Sequence, residues 1–90
     1  MIKFSERQIE LIYKKIGENV KKHRKEKNIS QLELSHLIGH KSVSIISCGE
    51  IYHKKQHFNI IHLLQIAKAL DVDVCKFFEG VDEIVKNIKS

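Results

Sequence analysis

Ninety residues, 42% of them hydrophobic and 30% charged, have the balance of one ordinary folded domain; that excludes a disordered segment and leaves no room for a second core. No apolar run approaches the roughly 20 residues of a membrane span, and MIKFSERQ lacks an apolar signal core, so no membrane partner and a cytoplasmic location are expected. The net charge of +5 is uneven, with 12 Lys/Arg against 6 Asp/Glu in residues 1–57 and 4 against 5 in residues 58–90, which points to a polyanion binding the first part.

Ser5 and Gln8 form a capping box that opens the longest amphipathic pattern. Ile9, Ile12, Tyr13, Ile16 and Val20 recur at three- and four-residue steps, which predicts one helix over residues 6–26. Glu10 with Lys14, and Glu18 with Lys22, are favourable i,i+4 pairs. Gly17 costs about 1 kcal/mol relative to Ala inside a helix, so it marks either a close approach or a break into two helices. The apolar stripe over residues 1–15 covers either the domain's own core or a partner chain. Lys21, Lys22, Arg24, Lys25 and Lys27 crowd the helix end, where cations complement the dipole and can also meet phosphate.

Residues 30–50, SQLELSHLIGHKSVSIISCGE, read as two short helices joined at Gly39. Ser30 and Glu33 form a second capping box; Leu34, Leu37 and Ile38 behind it fall at helical spacing and are expected to face a core. Ser35 is small enough for a second helix to cross over it. Gly39 supplies the left-handed residue that ends the first helix. In the second helix Ile45 and Cys48, three apart, are expected inward, leaving Lys41, Ser42, Val43, Ser44, Ile46 and Ser47 facing outward or sideways. Gly49 suggests that this helix ends early or bends.

The segment IYHKKQHF has no period and reads as a loop exposing Lys54, Lys55 and Gln56. Asn59 caps a helix carrying Ile60, Leu63, Leu64, Ile66, Ala67 and Leu70, an apolar face wide enough to sit at the centre of the core. Asp73 is expected to cap a short helix, with Phe77 and Phe78 closing the core and Gly80 ending it. Over residues 81–90 a helical tail starting near Asp82 aligns Val81, Ile84, Val85 and Ile88, either on the first helix or in a symmetric dimer seam. Cys48 and Cys75 fall at apolar helical positions and read as buried free thiols.

The order Gln31, Ser35, Gly39 and Ile45, followed with a departure by Cys48, resembles the helix-turn-helix of the phage-repressor-like (Xre or Cro/C1-type) DNA-binding family. The flanks IGENVKKHRKEKNISQ and LLQIAKALDVDVCKFFEG also resemble that family's, so the resemblance covers most of the chain. It implies a single all-α domain over residues 1–90, a five-helix lambda-repressor-like DNA-binding fold with a helix-turn-helix unit at 30–50, an extended first helix and an extra C-terminal helix. It implies a transcriptional regulator, a repressor binding double-stranded DNA as a homodimer. Gln31 is carried over as a phosphate contact, and Ser42, Val43 and Ser47 fall where bases are most often met. Serine discriminates bases poorly, while Val43 or Ile46 suits a thymine methyl. Lys41, Lys54 and Lys55 are further phosphate candidates. Lys41 stands where the family has a capping Ser or Thr, so Ser42 is the alternative cap.

Six histidines raise a metal question. His36 with His40, and His53 with His57, have a four-residue step, but His40 lies past a turn, His53–His57 lies in a loop, and no third ligand is suitably spaced. No metal or other cofactor is expected. No Gly-rich phosphate loop, nucleophile elbow or H-E-x-x-H occurs, so an enzyme is not expected. The rival reading is an antitoxin or adaptor that binds a protein partner, such as a toxin, through its terminal helices, with autoregulatory DNA binding.

Overall fold

Ser5 starts the first helix by a reciprocal pair of bonds: the Gln8 N–H donates to Ser5 Oγ at 3.2 Å and the Ser5 N–H donates to Gln8 Oε1 at 2.6 Å. In the computed structural model, which describes residues 1–87, this helix (α1, Glu6–Glu26) runs unbroken for 21 residues. It is followed by α2 (Gln31–Leu37), α3 (Ser44–Ile51), a 3₁₀ turn (His53–Lys55), α4 (Ile60–Leu70), a second 3₁₀ turn (Val74–Phe78) and α5 (Val81–Lys86). The described residues are all-helical, with no strand, and no helix among them is long and apolar enough to cross a membrane.

Gly17 marks a close approach, not a break. A Cβ there would stand 2.4 Å from the Glu50 carbonyl oxygen and 2.6 Å from that of Gly49, so α1 and α3 meet backbone to backbone. Gly49 serves the same contact region from the other helix, because its own Cβ would strike the Phe58 ring at 2.6 Å. The expected early end or bend at Gly49 is therefore corrected: α3 continues to Ile51 and ends at Tyr52, whose φ of +57° is left-handed. Gly39, at φ +86°, does make the left-handed turn between α2 and α3.

The core joins Ile16 and Val20 of α1, Leu34 and Ile38 around α2, Ile46 of α3, Leu63, Ile66 and Leu70 of α4, and Phe58 and Phe77 from the connections. Leu37, expected inward, is 59% exposed. Ser35 is fully buried and donates its hydroxyl proton to the Leu32 carbonyl at 2.7 Å. The buried face of α2 is thereby centred between Leu34 and Ser35, and at about 100° per residue Leu37 falls well outside it.

The later elements show the same contrast between caps and phases. The Asn59 side chain accepts the His62 N–H at 2.7 Å, as a cap should, and the Asn59 N–H donates to His62 Nδ1 at 3.3 Å. Asp73 makes no side-chain cap, and the segment after it is 3₁₀. Successive 3₁₀ residues lie about 120° apart, so Phe77 is buried while Phe78 and Cys75 turn outward, against expectation; Cys48 is only half-buried. Asn19, buried on α1, secures the segment by donating to the carbonyls of Phe77 (2.9 Å) and Glu79 (2.8 Å). The tail helix α5 lies against α1, with Val81 and Ile84 half-buried and Val85 exposed; Ile88 lies outside the described residues.

Gly17→Ala should report on the α1–α3 approach. Intrinsic propensity favours Ala by about 1 kcal/mol, but two backbone carbonyls would have to withdraw. A net loss of roughly 1–3 kcal/mol is expected, seen as a lower Tm in circular-dichroism melts.

Candidate nucleic-acid interface

The placement of α2 and α3 is set by a buried ion pair. Arg24, near the end of α1, is 6% exposed, and Glu50, in the last turn of α3, is 2% exposed. Arg24 Nε donates to Glu50 Oε2 at 2.7 Å and Nη2 to Oε1 at 3.1 Å, the two-pronged geometry that suits guanidinium to carboxylate. Nη1 donates to the Ile29 carbonyl at 2.8 Å, and Gln31 Nε2, from the start of α2, donates to Glu50 Oε1 at 2.9 Å. One charge pair thus ties the end of α1, the start of α2 and the end of α3.

Sequence reasoning missed this network. Arg24 stands in the sequence among the dipole-complementing cations, and nothing local pairs it with Glu50. The signal lay in the phase of α3: once Ile46 is inward, Glu50, four residues on, shares its face and needs a cation. Gln31, carried over as a phosphate contact, directs its carboxamide to this interior pair and does not stand free in the structure.

The phase of α3 is the main correction to the expected site. Ile46, expected outward, is fully buried, together with Gly49 and Glu50, whereas Ile45 and Cys48 are half-buried flanks. The rotation follows from the backbone contact at Gly17 and from the demand of Arg24 for a carboxylate. Ile46 is thereby unable to meet a base. Lys41, Ser42, Val43 and Ser44 are exposed at the tip of the pair, and Ser47 is half-buried. Ser44, Ser47 and Ile51 share the outer stripe by helical spacing, and Ile51, 55% exposed, was not expected there. The N-cap position falls on Val43, which has no side-chain cap, so neither Lys41 nor Ser42 holds it; just ahead of the helix Ser42 Oγ accepts the Ser44 N–H at 3.2 Å and lies 2.8 Å from Ser44 Oγ.

Beyond α3 the chain turns through three left-handed non-glycine residues, Tyr52 (φ +57°), Lys54 (+51°) and Lys55 (+65°). Each such residue carries steric cost. Aromatic stacking holds the turn: the Tyr13 ring lies 3.9 Å from that of His57 and 5.5 Å from that of Tyr52, centroid to centroid. Lys54 and Lys55 are both exposed, with Lys55 Nζ 3.8 Å from a Glu6 carboxylate oxygen.

His57 is thus part of a stack, and His40 meets His62 edge-on at 5.5 Å, pinning the α2–α3 turn against the start of α4. Among the described residues no three His, Cys, Asp or Glu side chains form a metal-holding group. Burial first, then the neighbouring His40, lowers the His62 pKa from its ordinary value. A histidine with a lowered folded pKa favours the fold while neutral, so stability is expected to fall as pH drops through the histidine range. Protonation at Nδ1 would also remove the acceptor for the Asn59 N–H. Urea titrations over that pH range should show the loss, with a shallower dependence in His40→Gln.

Removing one partner of the buried pair should cost far more than a surface change. Glu50→Ala is expected to lose about 3–5 kcal/mol, read from the urea midpoint, because it leaves the Arg24 guanidinium buried and uncompensated. Gln31→Ala, which deletes one bond to the carboxylate, should lose about 1–2 kcal/mol. No protein-family model matches the sequence, and neither does any curated protein.

Proposed function

We propose that the chain is a sequence-specific DNA-binding transcriptional regulator, a repressor with a lambda-repressor-like arrangement of five helices, acting as a homodimer. The observation that carries this reading is that α3 is locked on its inner face by Ile46, Gly49 and Glu50 while its tip and outer stripe stay open beside two exposed lysines. An α-helix fits a major groove about 12 Å wide. In this reading Lys41, Lys54 and Lys55 neutralise phosphates, and Ser42, Val43, Ser44 and Ser47 meet base edges. Ile51 replaces Ile46 as the apolar group available to a thymine methyl, beside Val43. Serine-rich contacts discriminate weakly, so DNA shape carries part of the specificity. The reading needs no cofactor. A second reading, an antitoxin or adaptor that holds a protein partner on its terminal helices, is favoured by Ile2, Phe4 and Leu11, which stay exposed at the start of the chain.

Selection of bound fragments from random DNA, followed by anisotropy titrations across salt, tests the proposal. Affinity should fall linearly on logarithmic axes as salt rises, and a pseudo-palindrome with half-sites about one helical turn apart should be preferred. Lys54→Ala with Lys55→Ala should weaken all sequences alike and flatten the salt slope by about one per lysine. Ser47→Ala should instead reorder the preferred sites. Binding indifferent to salt, or equal for every sequence, rejects a specific regulator.

A further inference from the structure

The apolar face of α4 is wider than the core it covers. Leu63, Ile66, Ala67 and Leu70 are buried, yet Ile60 is 71%, Ile61 62% and Leu64 48% exposed, with Phe78 at 42% close by. These side chains leave on the order of 400 Å² of apolar surface open, the size at which a patch on a monomer is generally functional. That is about half of what each partner buries in a standard interface of about 800 Å² per side.

We infer that this face is the seam on which a second copy of the chain docks. Three observations select that occupant. First, the groove has a ridge and a recess side by side: Ile60 and Ile61 stand at the rim, while Ile16, Phe58 and Leu63 line the hollow between α1 and α4. A two-fold axis beside the groove lets each ridge enter the other copy's recess, as a self-complementary patch requires. Second, no Lys, Arg, Asp or Glu lines the groove, although these types make up 30% of the chain. Two chains of charge +5 repel, and an uncharged groove is where they can meet.

Third, the face lies away from the α2–α3 turn. At about 100° per residue, Ile60, Ile61 and Leu64 lie on one flank of the buried stripe of α4, and His62, which touches the α2–α3 turn, lies on the other. Two copies joined there leave the α2–α3 turn uncovered, while Tyr13 and His57 bring the seam up to the turn that carries Lys54 and Lys55. The inference names the seam of the homodimer in the DNA-binding reading and rests on that reading for its use, but the seam is measured without DNA.

Sedimentation velocity of the full chain, from low to high micromolar concentration, provides the test. The expected result is a dimer that persists at molar salt, because apolar contacts are not screened. Ile61→Asp, with helical circular dichroism retained, should raise the dimer Kd at least about tenfold by burying an unpaired carboxylate at the seam. Leu37→Asp, at a comparably exposed leucine on α2, should leave the Kd unchanged. A chain that stays monomeric throughout overturns the inference, as does an Ile61→Asp protein that dimerises like the original or an equal loss in Leu37→Asp. A salt-stable, Ile61-dependent dimer with no DNA preference would overturn the regulator reading alone.

Discussion

The Arg24–Glu50 pair is the constraint on which the arrangement of the first three helices depends. Each ion gives up hydration worth several kcal/mol on burial, and only near-complete hydrogen bonding offsets that loss. Here the guanidinium donates to both carboxylate oxygens and to the Ile29 carbonyl, while Gln31 supplies a further donor to the carboxylate. Among the described residues no buried side-chain nitrogen or oxygen lacks a partner. Such a pair adds little net stability, but it penalises every alternative packing in which α3 is rotated or displaced. Gly17 and Gly49 make the geometry reachable, because a side chain at either would hold the backbones or the Phe58 ring apart.

Where signals are local, the sequence was a sufficient guide. The bounds of α1, the capping boxes at Ser5 and Ser30, the cap at Asn59 and the left-handed turn at Gly39 each involve residues within four positions of one another. The phase of a two-turn helix is another matter. In α3, Ile45, Ile46 and Cys48 are all apolar, and too few positions exist for a period to choose among them. The choice was made by Arg24, 26 residues away from Glu50 in the chain. Leu37 and Phe78 turned outward for related reasons: Ser35 shifted the buried face of α2, and 3₁₀ winding separated two adjacent phenylalanines. At the candidate site, Lys41, Ser42, Val43, Ser44, Lys54 and Lys55 emerge exposed because polar tips and loops need no long-range information. Ile46 and Gln31 did not, because their positions depend on what lies beneath them.

The width of the apolar face on α4 carried two meanings that spacing alone does not separate. Half of it fills the interior, and the other half stands in solvent beside a neutral groove. Tyr13 and His57, the rings stacked beneath the Lys54–Lys55 turn, also line that groove, so the apolar and cationic surfaces adjoin.

The turn through Tyr52, Lys54 and Lys55 fixes where two ammonium groups are presented. Glycines there would relieve the left-handed strain, but they would also let the backbone sample many directions. By retaining bulky residues under a stack of rings, the chain accepts a small enthalpic penalty and keeps its cations aimed before any ligand arrives. In the proposed complex less disorder would have to be frozen out on contact, so the gain would lie in the entropy of association and not in the number of charges.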